Sequence, residues 1–186
     1  MKLWYNAKMS KFVVGLGGIF FVVLVILIGG KKRTPEIHPI SRGDADIVLS
    51  QISFVQTRNN LKDWELTAEE AQFYEEGQTA SLKNISVVME SDQGAPLTLT
   101  GDRGQMDAGG KTFSMQGGRE PVTVRLNNGY TIKTNSLSWV AESRVIQTED
   151  PVEISGQGVA ISGEGMRMFL DRSEVRLMRN VHATMD

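Results

Sequence analysis

Apolar and polar residues alternate along most of this chain, and four segments share a break in that alternation. They are Leu66-Thr-Ala68-Glu-Glu-Ala71-Gln-Phe73, Leu99-Thr-Gly101-Asp-Arg-Gly104-Gln-Met106, Ile132-Lys-Thr134-Asn-Ser-Leu137-Ser-Trp139 and Ile161-Ser-Gly163-Glu-Gly-Met166-Arg-Met168. Each places an apolar or small residue at steps of two, three and two. Steps of two are strand alternation, one face buried and one wet. The step of three predicts one extra residue, a β-bulge that returns the same face to the core. The segments start at 66, 99, 132 and 161, so they recur after 33, 33 and 29 residues. A repeat of this length predicts stacked supersecondary units, each burying its apolar face on the next.

Further short alternating runs lie between them, among them Ile52/Phe54, Ile85/Val87/Met89, Val122/Val124, Val152/Ile154 and Val175/Leu177. Turn sequences separate the runs: Arg58-Asn59-Asn60, Glu76-Gly77, Gly109-Gly110, Asn127-Asn128-Gly129 and Gly156-Gln157-Gly158. Gly and Asn supply the positive φ of tight hairpins. No helical stripe is sustained after Asp46, so the pattern predicts an all-β domain over residues 46–186. Its inward set is rich in methionine (Met89, Met106, Met115, Met166, Met168, Met178). Methionine fills irregular gaps and also lines adaptable apolar surfaces, so core filler and groove lining are both open.

The N-terminus follows another pattern. Residues 12–30 carry no charge, and as a helix they span roughly 28 Å, about one hydrocarbon core. Lys2, Lys8 and Lys11 precede this run, and Lys31, Lys32 and Arg33 follow it. A cleaved signal would show a shorter apolar run and a small-x-small site, so an uncleaved anchor is expected. Residues 1–11 are then a tail and 31–45 a linker whose two prolines and glycine disfavour helix. With three cations on each side, charge alone leaves the orientation open. Gly15, Gly17 and Gly18 are either a close-packing face toward another membrane helix or the ordinary glycine content of such segments.

Composition narrows the chemistry. Residues 1–33 hold six Lys/Arg and no acid, whereas the rest holds 14 Lys/Arg and 22 Asp/Glu. A body with that acidic excess is a poor nucleic-acid binder. The chain has no Cys. Its two histidines, His38 and His182, sit in no metal-ligand spacing, and no cofactor motif is present. The acids of the repeat (Glu69, Glu70, Asp102, Asp107, Glu164) are read as the wet face of the strands. Paired carboxylates of a polysaccharide-cleaving enzyme are the rival reading, disfavoured because no cleft is signalled.

One N-terminal anchor, a short linker and a β-repeat with Trp64-x-Leu66-x-Ala68-x-x-Ala71, Leu99-x-Gly101-x-x-Gly104-x-Met106-Asp107, Gly129-Tyr130-x-Ile132-x-Thr134-x-x-Leu137 and Pro151-Val152-x-Ile154 together resemble the LptC family. The resemblance covers essentially the whole chain. It implies an open, V-shaped antiparallel β-jellyroll in the periplasm, a cytoplasmic N-terminus and a single inner-membrane pass. It implies that lipopolysaccharide is taken from the LptB–LptF–LptG transporter and passed to LptA, with no catalysis. The groove for acyl chains would be lined by Phe73, Leu99, Met106, Phe113, Met115, Ile132, Trp139, Ile161 and Met168. The LptA contact would use the C-terminal strand through Val175, Leu177, Val181 and Ala183, and Gly156 matches a position tied to bridge assembly. The anchor, packed through Gly15, Gly17 and Gly18, and the N-terminal edge would meet the transporter. An envelope scaffold that binds protein alone is the alternative, and a polysaccharide-acting β-stack enzyme a more distant one.

Overall fold

The computed structural model describes residues 45–90, 96–107, 109 and 111–185. The anchor, the linker up to residue 44 and the three glycines of the anchor lie outside the described residues. Among the described residues no helix is long and apolar enough to cross a membrane.

The described residues form eleven strands: β1 Ile47–Arg58, β2 Leu61–Tyr74, β3 Thr79–Met89, β4 Leu97–Asp107, β5 Thr112–Gln116, β6 Val122–Arg125, β7 Thr131–Thr134, β8 Ser136–Val140, β9 Val145–Gly156, β10 Val159–Phe169 and β11 Glu174–Met185. A single turn of 3-10 helix, Leu170–Arg172, joins the last two. The strands form one antiparallel sheet that forks and rejoins. β1, β2, β3 and β4 follow one another. The first half of β4 then pairs with β6, and its second half with β5. The β6–β7 and β5–β8 branches meet again on β9, whose second half takes β7 and first half β8. β10 and β11 complete the sheet. All neighbouring ladders are antiparallel, which suits a chain with short turns and no crossover helices.

The step of three in the repeat is visible at all four copies, with two outcomes. In the first two copies the ladder register does not slip. Ala68 pairs with Ile85 and Glu70 with Lys83, and likewise Ile85 with Gly101 and Lys83 with Arg103. Gln51, Glu69, Asn84 and Asp102 instead form one transverse line of skipped pairs, in which Gln51 and Asn84 have positive φ. Each strand takes its extra residue at the same level, so the sheet bends and stays in register. In the third copy the extra residues are Asn135 and Ser136, and the strand breaks: β7 ends, and β8 continues in the other branch. In the fourth copy Gly165 has φ +72° and the register slips by one against β9. Pro151 lies at that slip, where a proline interrupts no regular ladder.

The branch crossing is held by polar groups that replace lost ladder bonds. The Thr134 hydroxyl donates to the Pro151 carbonyl at 2.9 Å, and the Ser136 hydroxyl donates to Asp150 at 2.6 Å. The Asp150 amide donates to the Thr148 hydroxyl at 3.1 Å.

Between the branches lies one buried apolar cluster that includes Trp64, Leu66, Val87, Leu99, Met115, Val124, Ile132, Trp139, Ile146 and Met166. Trp64 stacks between Phe54 and Phe113 with centroids 5.3 and 5.6 Å apart, distances in the favourable aromatic range. Five of the six inward methionines are buried. Met178 departs from the expectation and is half exposed. Val175 and Leu177 pair with the inward Met168 and Met166, so alternation puts Met178, opposite Gly165, on the outer face.

Candidate functional site

The nine residues expected to line a groove fall into two groups. Leu99, Met106, Phe113, Met115, Ile132, Trp139 and Met168 are buried in the cluster between the branches. Phe73 and Ile161 are half-buried, near the start and the end of the sheet. An open space begins at Ile161. A cavity of about 470 Å³ is lined by Leu126, Tyr130, Ile132, Ile154, Ile161 and Leu177, with Val175 and Val181 of β11 on its rim. Its size lies within the ~300–1,000 Å³ of small-ligand pockets. The structure therefore brings Ile132 and Ile161 together with three of the four edge residues, Val175, Leu177 and Val181.

The cavity follows from chain geometry. The β6–β7 hairpin runs past the end of the buried cluster and turns at Asn128-Gly129. The Leu126 amide donates to the Tyr130 carbonyl at 2.9 Å and closes that hairpin. The Gln157 side-chain amide donates to the Asn128 carbonyl at 2.6 Å and ties the hairpin to the β9–β10 turn. Gly156 sits at this junction. A Cβ there would lie 2.6 Å from the Gly129 carbonyl oxygen and 2.9 Å from Tyr130 Cα. No side chain fits that gap without moving the backbone, so Gly156 sets how closely the two turns approach. The other wall is β11. Val175, Leu177, Val181 and Ala183 follow its inner face, with the bulge between Leu177 and Val181.

Among the described residues both ends of the sheet are free: β1 pairs with β2 alone and β11 with β10 alone, and each edge strand is 12 residues long. They carry exposed apolar side chains: Ile47, Val48, Leu49 and Val55 on β1, and Val175, Met178, Val181 and Met185 on β11. Long apolar edges are templates for a further strand.

Two arrangements escaped the sequence reading. Arg144 is buried with positive φ in the β8–β9 turn. Its Nη1 donates to Asp63 at 2.5 Å, its Nε to Asp171 at 2.5 Å and its Nη2 to the Glu90 carbonyl at 3.2 Å. It thereby fastens the start of β2 and the end of β3 to the 3-10 turn before β11. The other arrangement lies on the outer face of the last two strands. Arg172 and Arg176 stand over the Phe169 ring at 4.2 and 5.2 Å. Glu174 takes a hydrogen bond from Arg176, which holds its carboxyl below the usual range against the opposing effect of burial.

The acids of the repeat do not converge. Glu69 accepts from the Asn84 side-chain amide, Glu70 pairs with Lys83 at 2.7 Å, Asp102 accepts from the Arg119 amide at 3.1 Å and Asp107 from the Thr112 hydroxyl at 2.9 Å. These are local strand and turn contacts. Among the described residues no group of three or more acids or histidines could hold a metal ion.

Comparison with known proteins gives a family and a fold. Among curated proteins none matches the chain. Among solved structures, LptH is similar, described as the LptA-homologous periplasmic component of the conserved lipopolysaccharide transport device from Pseudomonas aeruginosa. The likeness has a TM-score of 0.52 at 13% identity and covers 66% of this chain and 94% of that one. At that identity it is a likeness of fold, an LptA-type antiparallel jellyroll. The family model for lipopolysaccharide assembly, LptC-related, matches residues 19–186. The chain belongs to the LptC-related family of lipopolysaccharide-assembly proteins.

Proposed function

We propose that this chain is the membrane-anchored carrier of a lipopolysaccharide bridge. Residues 12–30 cross the inner membrane once with the N-terminus in the cytoplasm, and the jellyroll stands in the periplasm. It receives lipopolysaccharide from an LptB–LptF–LptG transporter and passes it to LptA through the β11 edge. The observation that carries this reading is the apolar cavity at the C-terminal end of the core, continuous with the inner face of a free edge strand. A cargo leaving along the sheet would pass from Ile132 and Ile161 to Leu177 and Val181 and then onto the next jellyroll. Acyl burial supplies the affinity at about 0.8 kcal/mol per methylene, so the acidic body need not attract the headgroup. The buried residues Leu99, Met115 and Trp139 join the lining when the branches part into the open, V-shaped form. The protein turns nothing over.

One observation favours a second reading. Seven of the nine groove residues are buried in a closed cluster, as in a scaffold that binds protein alone. A displacement assay separates the two. A hydrophobic dye that fluoresces with the folded full chain and is released by lipopolysaccharide, but not by its deacylated form, supports the carrier. Dye that fails to bind, or that both forms release equally, leaves the scaffold.

A further inference from the structure

The outer face of the β11 edge has an excess of positive charge that its own strand pair does not balance. Arg167 of β10 pairs directly with Arg176 of β11, and like charges opposite one another destabilise an antiparallel pair. Arg172 and Arg176 share the Phe169 ring, and one carboxylate, Glu174, serves both at 3.8 and 2.5 Å. Arg167 has no ion-pair partner among the described residues. The excess is local: residues 46–164 carry nine Lys/Arg against 17 Asp/Glu, residues 165–185 four Arg against two.

The position of the pair gives it meaning. Ser138, Gln147, Arg167 and Arg176 stand in one row across β8, β9, β10 and β11. Arg176 ends that row at the open edge, so a strand added to β11 places its own residue beside it. Resting on the reading of β11 as a partner edge, we infer that the Arg167–Arg176 pair selects a partner strand with carboxylates on its outer face. A second copy of this chain is a poor occupant. The sequence of β1, IVLSQISFVQTR, has no charged residue before Arg58, so head-to-tail stacking of identical copies leaves the pair unanswered. The edge thus favours a different, acid-bearing jellyroll over self-assembly.

A tethered strand tests this. Twelve-residue strands of alternating Val and Glu, Gln or Lys are appended after Asp186 of the full chain in detergent through a flexible linker, which holds them at about millimolar effective concentration. Docking is read as amide-exchange protection along β11. The Glu strand should dock about two- to fivefold more than the Gln strand, and the Lys strand least, as for an exposed ion pair. Arg176→Glu should reverse that order, and about 0.5 M salt should flatten it. The Arg176 side chain is 55% exposed, so the variant keeps the fold, checked by its unfolding midpoint. Equal docking of all three strands, or an order unchanged in Arg176→Glu, overturns the charge selection and leaves the edge reading intact. Protection by none of them overturns the edge reading itself.

Discussion

Arg144 and Asp63, 81 positions apart in the chain, meet at 2.5 Å with side chains only 9% and 10% exposed. The pair ties two parts of the sheet together at one end of the strands: Asp63 lies near the start of β2, and Arg144 stands in the turn before β9. Removing one partner of such a pair strands the other charge, which costs about 3–5 kcal/mol when both are buried. Asp63 keeps Arg58 at 3.3 Å, so Arg144→Ala should cost about 3 kcal/mol, the low end. Urea unfolding measures it. A change below about 1 kcal/mol would place the pair with ordinary surface bridges.

Gly156→Ala should act through the turn junction. With the Gly129 carbonyl oxygen at 2.6 Å from the added Cβ, the β6–β7 hairpin must shift away from the β9–β10 turn and distort one wall of the cavity. Overpacking of this kind costs about 1–3 kcal/mol. The expected signature is a joint fall in stability and in dye binding. Wild-type dye binding in a destabilised Gly156→Ala variant would detach this glycine from the cavity.

Trp139 has no exposed surface and packs in the central cluster beside its cross-strand partner Phe113. Trp139→Ala should therefore lose about 3–5 kcal/mol. Ile161→Ala, on the half-open cavity wall, should lose less stability and more lipid affinity. If the two variants lose stability equally, the distinction between closed core and open cavity fails.

Acid should weaken the first strands of the sheet. The Lys83 hydrogen bond, helped by Gln72, holds Glu70 below the usual carboxylate range. Hydrogen bonds from Lys62 and Ser53 do the same for Glu65. A depressed carboxylate contributes stability that is present above its unfolded pKa, near 4.3, and is lost as pH falls through the folded one. Both groups are exposed, so the effect is small. It should appear as a shallower acid limb in the unfolding midpoint of Glu70→Gln, and a limb of unchanged slope would refute it.

Much of the strand content was legible because inward residues recur at steps of two, and the step of three marked each bend. Trp64, Leu66, Leu99, Ile132 and Trp139 are buried as that pattern requires. The pattern could not show that the same step has different results. Whether an extra residue bends the sheet or breaks the strand depends on its neighbours: Asn84 answers Glu69 at the same level, whereas β9 has no such answer to Asn135. Nor could alternation separate a wall from a core. Leu99 and Ile161 share one spacing, yet Leu99 is sealed between β3 and β6, and Ile161 faces the gap beside β11. Arg144 was illegible because a lone arginine in a polar turn reads as solvated until Asp63 and Asp171 are brought to it.

Site-specific photo-crosslinking in cells tests the carrier most directly. Probes stand at Ile161 and Leu177 on the cavity wall, and at Glu153, which points outward between Val152 and Ile154. The account expects lipopolysaccharide adducts at Ile161 and Leu177 and none at Glu153. Adducts absent from both cavity positions in the folded protein, or equal at all three, would contradict it.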